Sequence, residues 1–190
     1  KNSRQIDSRR GTHSDALGTS NSRCSYPNGY TYGPFGKLHT TWVWRESAQG
    51  ANHDLMYAYS DDQGMTWRNN QGAKLTECPR LHSPDVAVAS ISRQHGLMNT
   101  HGQAVDHRGR VHVVMWHCSD VSLSAAGSRP GQSRWGPPEA RRYHHYWRDI
   151  QGTWHHRELP GMAGRRPKIF LDKEDNAFAI FTRRPTDNHA

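Results

Sequence analysis

The chain has 190 residues, enough for one domain with a hydrophobic core, but only 33% of them are hydrophobic and the mean hydropathy is -0.98. Seven Trp and seven Tyr residues lie in short alternating runs, which excludes a disordered chain and favours a β-rich protein with polar loops. The net charge of +8 favours an anionic partner. The Arg residues form scattered pairs rather than a long basic tail, so nucleic acid is not expected as that partner. No apolar stretch is long enough to cross a bilayer, and no membrane partner is expected.

The three cysteines, Cys24, Cys78 and Cys118, match no CxxC spacing. Their odd number leaves at least one outside any internal pair, and a disulfide, a metal ligand and buried free thiols all stay open. The chain begins at Lys1 rather than Met, so the lack of a visible signal peptide carries no information on export.

Short strands and turns follow an N-terminal segment, residues 1 to 22, that is polar and expected to be irregular. Three hairpins with Gly-, Pro-, Asp- or Asn-containing turns are predicted in chain order: Tyr30 to Tyr32 with Leu38 to Trp44, Leu97 to Val105 with Val111 to Trp116, and Lys168 to Leu171 with Ala177 to Phe181. Two more strand pairs lie between them: Leu55 to Tyr59 with a strand beginning at Trp67, and Tyr143 to Arg148 with Trp154 to Leu159. The Ser-, Gly- and Pro-rich residues 119 to 140 are expected to form a long loop.

The hairpins align as an internal repeat, because Gly36-Lys37-Leu38-His39 matches Gly109-Arg110-Val111-His112. Each repeat then carries four strands, as a blade of a β-propeller does. We therefore predict an all-β fold, with a partial β-propeller of four-stranded antiparallel blades over residues 23 to 190. One blade is expected near residues 24 to 75, a second near 95 to 160, and the start of a third at 165 to 190.

The segment from Ser60 to Trp67 matches the Asp-box, S-x-D-x-G-x-T-W, at every defined position. In this motif the Ser and Asp side chains bind backbone N–H groups of a hairpin turn, the Gly takes a positive φ and the Trp packs beneath. We predict a structural role, without catalysis, for the five defining residues: Ser60, Asp62, Gly64, Thr66 and Trp67. A degenerate copy, Asp149 to Trp154, falls at the matching place of the next repeat.

Four runs of the sequence resemble the BNR-repeat family: His53 to Tyr59, Leu97 to Asp106, Gly109 to His117 and Gly164 to Ile169. The family includes propeller polysaccharide lyases that act on ulvan and on rhamnose–glucuronate polymers. The resemblance implies a seven-bladed ring, of which this chain would supply two and a half blades, and a secreted or periplasmic protein. It also implies an acidic polysaccharide as partner. We expect activity from a complete ring rather than from these blades alone; the sequence does not indicate an oligomeric state.

What the resemblance implies chemically is β-elimination at a uronic acid, which removes the C5 proton and expels the sugar linked at C4. Such an enzyme needs a cation beside the C6 carboxylate, a base for the proton and an acid for the leaving oxygen. Family members use His, Tyr and Arg for these tasks, and the chemistry requires no cofactor. A structural calcium or zinc ion is left open.

His101 and His117 are the first candidates for acid–base work, because they are symmetric about the hairpin turn near residue 109 and should lie side by side. The repeat equivalent of His101 is Asn28, and both should face the central channel and reach substrate. The two His residues would also suit a metal, with Cys118 as a third ligand.

Tyr146 and Arg166 are the best match to the Tyr and Arg with which the related lyases reach the sugar. Tyr143 and Arg165 are the alternatives, since the spacing is a few residues longer than expected. His53 precedes a strand and is a further substrate-binding candidate, as is its neighbour Asp54.

Two other functions compete with the lyase. A sialidase-like glycoside hydrolase would need a carboxylate or Tyr–Glu pair, and the Glu residues lie in loops or at strand ends: Glu46, Glu77, Glu139 and Glu158. A non-catalytic glycan-binding propeller would use the same His, Tyr and Arg only for stacking and carboxylate contacts.

Overall fold

The computed structural model describes residues 6–47 and 50–182. Its strands are His13–Asp15 (β1), Gly18–Ser20 (β2), Arg23–Tyr32 (β3), Leu38–Glu46 (β4), Ala51–Ser60 (β5), Ala87–Ala89 (β6), Gly102–Val105 (β7), Val111–Cys118 (β8), Arg141–Arg148 (β9), Trp154–Met162 (β10), Lys168–Leu171 (β11) and Ala177–Ile180 (β12). The α-helix Asp120–Ala125 (α1) and the short 3-10 turns Pro34–Gly36, Arg93–His95 and Pro138–Ala140 complete the elements. Within these ranges no helix is long and apolar enough to cross a membrane.

The strands form two four-stranded antiparallel sheets, in the orders β3-β4-β5-β6 and β7-β8-β9-β10, and two hairpins, β1-β2 and β11-β12. Sequential strands that pair with their chain neighbours are the arrangement of propeller blades, so the predicted fold class is confirmed. The first sheet reaches Ala89, beyond the boundary expected near residue 75, because β6 returns to pair with β5. The number of blades in a complete ring stays a prediction.

The N-terminal segment, which we expected to be irregular, contains the β1-β2 hairpin. The turn is closed by the backbone N–H of Leu17, which donates to the Asp15 carboxylate at 2.8 Å. Arg93 ties the hairpin to the first sheet, because its guanidinium binds the Asp15 carboxylate and donates to the Gly18 carbonyl at 2.6 Å. The buried Arg93 guanidinium thus fixes the position of the hairpin beside the sheet.

The Asp-box turn after β5 has the hydrogen bonds that its sequence implies. The Ser60 hydroxyl accepts from the Gly64 backbone N–H at 2.7 Å, and Asp62 accepts from the Thr66 backbone N–H at 2.8 Å and from its hydroxyl at 2.7 Å. Gly64 has a φ of 83°, and the Trp67 side chain is buried in the apolar cluster of the first sheet. The turn therefore has the hydrogen bonds of a self-capped hairpin, and its purely structural role stays a prediction.

A hydrophobic layer joins the two four-stranded sheets. Strand alternation turns Val113 and Met115 of β8 and Tyr146 of β9 toward the first sheet, where they meet Val43 and Leu55. Burial of this layer fixes the two sheets against each other, and it places the polar groups at the strand ends on common edges of the assembly.

The long loop after β8 is more ordered than expected, because α1 begins inside it. Ser119 caps the helix, accepting from the Ser122 backbone N–H at 3.1 Å, while the Ser122 hydroxyl accepts from the Ser119 backbone N–H at 2.8 Å. Cys118 packs against Leu123 and Ala140 beneath this helix.

Candidate functional site

A cavity of about 530 Å³ lies between the two four-stranded sheets, at the edge where β8 ends. Its walls come from three parts of the chain: the β1-β2 hairpin, the ends of β5 and β6, and the end of β8 with the start of α1. The polar side chains that line it include His13, Asp54, His95, Asp120, His117 and Tyr146. Titratable groups thus converge on one recess, and a few convergent polar groups in a largely apolar lining are the usual form of a small-ligand site.

The central pair of the cavity is His117 and Tyr146, whose Nε2 and hydroxyl lie 2.9 Å apart. The His117 Nδ1 lies 2.9 Å from the Cys118 carbonyl, and a carbonyl can only accept. His117 Nδ1 therefore carries a proton, and the neutral ring offers its Nε2 lone pair to the Tyr146 hydroxyl. Burial lowers the pKa of His117 to about 4 and raises the pKa of Tyr146 above its ordinary value, so both groups are uncharged at neutral pH.

Two further histidines pack around this pair. The His144 ring stacks on His117, with 3.6 Å between centroids and 3° between planes, and the His156 ring stacks on Tyr146 at 4.4 Å. His144 Nδ1 and His156 Nε2 lie 2.8 Å apart, and His144 Nε2 donates to the His117 carbonyl at 3.3 Å. Burial, with the nearby His117 and His156, lowers the pKa of His144 to about 2. The His144 imidazole is therefore neutral where it stacks on His117.

A buried ion network supports the opposite wall of the cavity. Glu46 accepts from Arg23 Nε at 2.7 Å and lies 3.1 Å from His53 Nε2, while His53 Nδ1 lies 2.9 Å from Asp54. Burial alone lowers the pKa of His53, but the hydrogen bonds to Asp54 and Glu46 outweigh it and raise that pKa. With a carboxylate on each nitrogen, His53 is an imidazolium that both carboxylates hold. We predicted substrate contact for His53; the structure makes it a buried structural cation.

The first strands of the blades bring together the residues expected to face the channel. The His101 backbone N–H donates to the Asn28 side-chain oxygen at 3.0 Å. Arg166 is exposed, and its guanidinium donates to the Asn99 carbonyl at 2.8 Å and to the Asn99 side-chain oxygen at 3.1 Å. The structure thus places Asn28 beside His101, and it leaves Arg166 accessible to a ligand.

His101 differs from its predicted arrangement in two ways. Gly102 pairs with Val114 and Val105 with Val111, a register that sets His101 opposite Met115 and diagonal to His117. Its Nε2 donates to the Met98 carbonyl at 2.6 Å, and the ring is buried with an unpartnered Nδ1. Burial lowers the pKa of His101 to about 3, so its ring supplies no positive charge at neutral pH.

The metal arrangement suggested for His101, His117 and Cys118 is not present. Cys118 follows His117 in the strand and therefore points to the other face, where burial raises its thiol pKa to about 11. Across residues 6–47 and 50–182 no group of three or more His, Cys, Asp or Glu side chains is arranged to hold a metal ion.

Tyr143 lies outside the cavity, on the other face of the second sheet from Tyr146. It is fully buried, and its hydroxyl lies 2.6 Å from the Arg165 carbonyl and 3.0 Å from the Thr182 carbonyl. The same oxygen accepts from the Gly164 backbone N–H at 3.1 Å. We expected Tyr143 to contact substrate; the structure uses it instead to join the second sheet to the segment before β11. The adjacent Arg165 is exposed.

Three contributors to the cavity were missed at the sequence level: His144, His156 and the β1-β2 hairpin. His144 could have been recognised from the sequence, because alternation along β9 places it on the same face as Tyr146. His156 pairs with Tyr146 across β9 and β10, and this register does not follow from either strand alone. His13 enters the cavity wall only because the hairpin folds back onto the sheet, where its ring stacks on His53 at 3.9 Å.

Comparison with solved structures gives the same fold. The chain is similar to two structures of a family PL25 polysaccharide lyase, an ulvan lyase, one of them bound to -[GlcA(1-4)Rha3S]-. Each match has a TM-score of 0.65 and 14% sequence identity, and covers 96% of this chain and 40% of the ulvan lyase. The chain thus spans less than half the length of these proteins. No curated protein matches the chain.

The family relationship comes from the sequence model of the BNR repeat-containing family member, which matches residues 2–162. The match covers the Asp-box and both four-stranded sheets. This chain belongs to the BNR repeat-containing family.

Proposed function

We propose that the protein is part of a polysaccharide lyase that cleaves a uronate-containing acidic polysaccharide by β-elimination. The observation that carries the proposal is the His117–Tyr146 pair, two neutral proton-transfer groups hydrogen-bonded at 2.9 Å in the cavity between the sheets. The similarity to the ulvan lyases supports it at the level of the fold, and the positive charge of the chain suits an acidic polymer.

In the proposed reaction, the neutral Nε2 of His117 takes the C5 proton of the uronate. The electron pair of the broken C5–H bond forms the C4–C5 double bond, and the C4–O bond breaks. The Tyr146 hydroxyl gives its proton to the departing oxygen. The His117 imidazolium then returns a proton to the Tyr146 phenolate across their hydrogen bond, which restores both groups.

The uronate carboxylate must be neutralised before its C5 proton becomes acidic enough to transfer. We assign this task to Arg166, whose guanidinium is exposed and oriented by Asn99. Arg166 precedes β11, which packs beside the start of β7 at the same edge of the sheets as the end of β8. We assign no proton transfer to His101, because its backbone N–H is hydrogen-bonded to Asn28 and its ring Nε2 to the Met98 carbonyl. Its role is to hold this edge of the site in place.

The test uses the full-length protein with its complete ring of blades, and follows the ultraviolet absorbance of the new double bond while this protein is mixed with ulvan, glucuronan and heparinoids. Absorbance should rise with at least one polymer, and the rise should vanish in Tyr146→Phe and His117→Gln but persist in the matched control Tyr32→Phe at an exposed tyrosine. Release of reducing ends without absorbance would indicate a hydrolase. Binding without either signal would indicate a glycan-binding propeller.

A further inference from the structure

A second cleft, of about 330 Å³, lies at the opposite edge of the sheets from the His117–Tyr146 cavity. It opens among three turns, which join β3 to β4, β7 to β8 and β9 to β10. The side chains on which the argument depends are Phe35, Lys37, His39, Arg108 and Arg148. We call this feature the far-end cleft.

The far-end cleft carries an excess of positive charge. Arg148 donates to the Asn70 carbonyl at 2.9 Å and lies 5.3 Å from the Tyr57 ring, and none of its contacts in the described part of the chain is a carboxylate. Lys37 and Arg108 add two more cations. Lys37 Nζ lies 3.9 Å from the Asp61 carboxylate and Arg108 Nε lies 3.5 Å from that of Asp175, so both contacts are long. The carboxylate of Asp149, which lines the cleft, already has a hydrogen-bond partner, since its Oδ2 lies 2.7 Å from His155 Nε2. An anionic group entering the cleft would therefore meet under-neutralised cations.

Buried polar atoms also remain without partners on this side of the molecule. His39 Nδ1 lies 2.8 Å from the Tyr57 hydroxyl, but His39 Nε2 has no hydrogen-bond partner among residues 6–47 and 50–182, although only 2% of the residue is exposed. Arg148 Nε is likewise buried without a partner. An unsatisfied buried polar group is costly to folding, so an acceptor that entered the cleft and paired with the Arg148 guanidinium would bind favourably.

An exposed aromatic ring stands at the rim. Phe35 is completely exposed and has a φ of 60°, in the left-handed region that disfavours residues with a side chain. The turn thus holds a large apolar ring in solvent at a cost in backbone strain. A ring so placed can stack on the apolar face of a sugar.

We propose that the far-end cleft binds an acidic polysaccharide segment, with its carboxylate or sulfate groups on Arg148 and Arg108 and a sugar face against Phe35. An adjoining cleft shares Tyr59 and Arg148 and extends the surface toward Asn70 and Trp154, which provides room for several sugar units. The site is separate from the His117–Tyr146 cavity, so it would hold the polymer whether or not the cavity cleaves it.

The test measures binding by calorimetry in the Tyr146→Phe protein, which removes cleavage. The probes are ulvan, a desulfated and carboxyl-reduced ulvan that carries no charge, and oligothymidylate. Ulvan should bind, and the triple change Phe35→Ala, Lys37→Gln, Arg108→Gln should weaken it about tenfold, as expected for the loss of charge-assisted contacts. The control Arg157→Gln removes one exposed cation on β10, away from both edges, and should leave the affinity within about twofold.

Several outcomes would overturn the proposal. Unchanged ulvan affinity in the triple variant would show that the far-end cleft is not used, and an equal loss in Arg157→Gln would show only general attraction to positive charge. Equal binding of the uncharged polymer would contradict the acidic specificity. Tighter binding of oligothymidylate with the same variant dependence would indicate a nucleic-acid site. Because cleavage is not the readout, failure of the lyase proposal would leave this result interpretable.

Discussion

The rings of His144 and His117 are stacked face to face, 3.6 Å apart and 3° from parallel. His144 itself is held by His156, 2.8 Å away, so the orientation of His117 depends on a neighbour that does not line the cavity. His144 is a positioning residue in the proposed reaction, since small displacements of a base reduce proton transfer strongly.

We predict that His144→Ala lowers kcat by about tenfold or more with a smaller effect on KM, because the His117 ring loses its supporting plane. His144→Phe keeps an aromatic plane and should retain most of the activity. The control His145→Gln changes the opposite face of β9 and should leave kcat unchanged. Equal losses in His144→Ala and His144→Phe would contradict a role in stacking.

The proposed lyase activity should persist into mildly acidic solution. Burial lowers the pKa of His117 to about 4, and the proposed base must be neutral, so kcat/KM should fall only as pH drops through about 4. The position of this acid limb is measured from a profile of kcat/KM against pH, with a polymer whose carboxylates stay charged down to about pH 4. An acid limb near the ordinary histidine pKa of about 6.5 would show that His117 is not the base.

His53 should make the fold more stable in neutral than in alkaline solution. Its folded pKa is raised, so its stabilising contribution is complete below the unfolded value of about 6.5 and is lost as pH rises through the folded pKa. The stability difference between wild type and His53→Gln, from urea unfolding at successive pH values, should shrink as the solution becomes alkaline. A constant difference would contradict the imidazolium assignment.

Glu46 is the acid whose loss should harm the fold most, because it is fully buried between Arg23 and His53. Burial by itself raises its pKa, but the hydrogen bonds from His53 and Arg23 outweigh it and lower that pKa to about 2. Glu46→Ala should lower the free energy of unfolding by about 3 to 5 kcal/mol, since buried Arg23 loses its carboxylate partner and His53 loses one of its two. Glu77→Ala, at an exposed pair, is the control and should cost less than about 1 kcal/mol.

The Asp-box should contribute stability without contributing activity. Ser60→Ala leaves the buried backbone N–H of Gly64 without its acceptor, and should cost about 1 to 2 kcal/mol of unfolding free energy. Ser124→Ala, at an exposed position of α1, is the matched control and should be close to neutral. A normal specific activity of the folded Ser60→Ala protein would support the purely structural role.

The sequence by itself determined most of the strands, the turns between them and the repeat, because these depend on neighbours within a few residues. It did not predict β1, β2 or β6, and in place of the strand predicted from Trp67 the structure has an isolated bridge between Tyr59 and Arg68. Alternation along β8 and β9 predicted which side chains share a face, and the Asp-box predicted its own hydrogen bonds. Hairpin symmetry led to His117 as a candidate, and the resemblance to the lyases led to Tyr146; the structure brings the two side chains within 2.9 Å.

Only the tertiary structure decided which of those candidates meet. The register of β7 on β8 moved His101 from beside His117 to a diagonal position, and packing against the segment before β11 turned Tyr143 into a structural residue. Burial of Glu46 and His53 arises from the N-terminal hairpin and the neighbouring strands together, so neither could be recognised from its own surroundings in the chain. The physical reason is that register and burial depend on contacts between residues distant in sequence, which no local pattern contains.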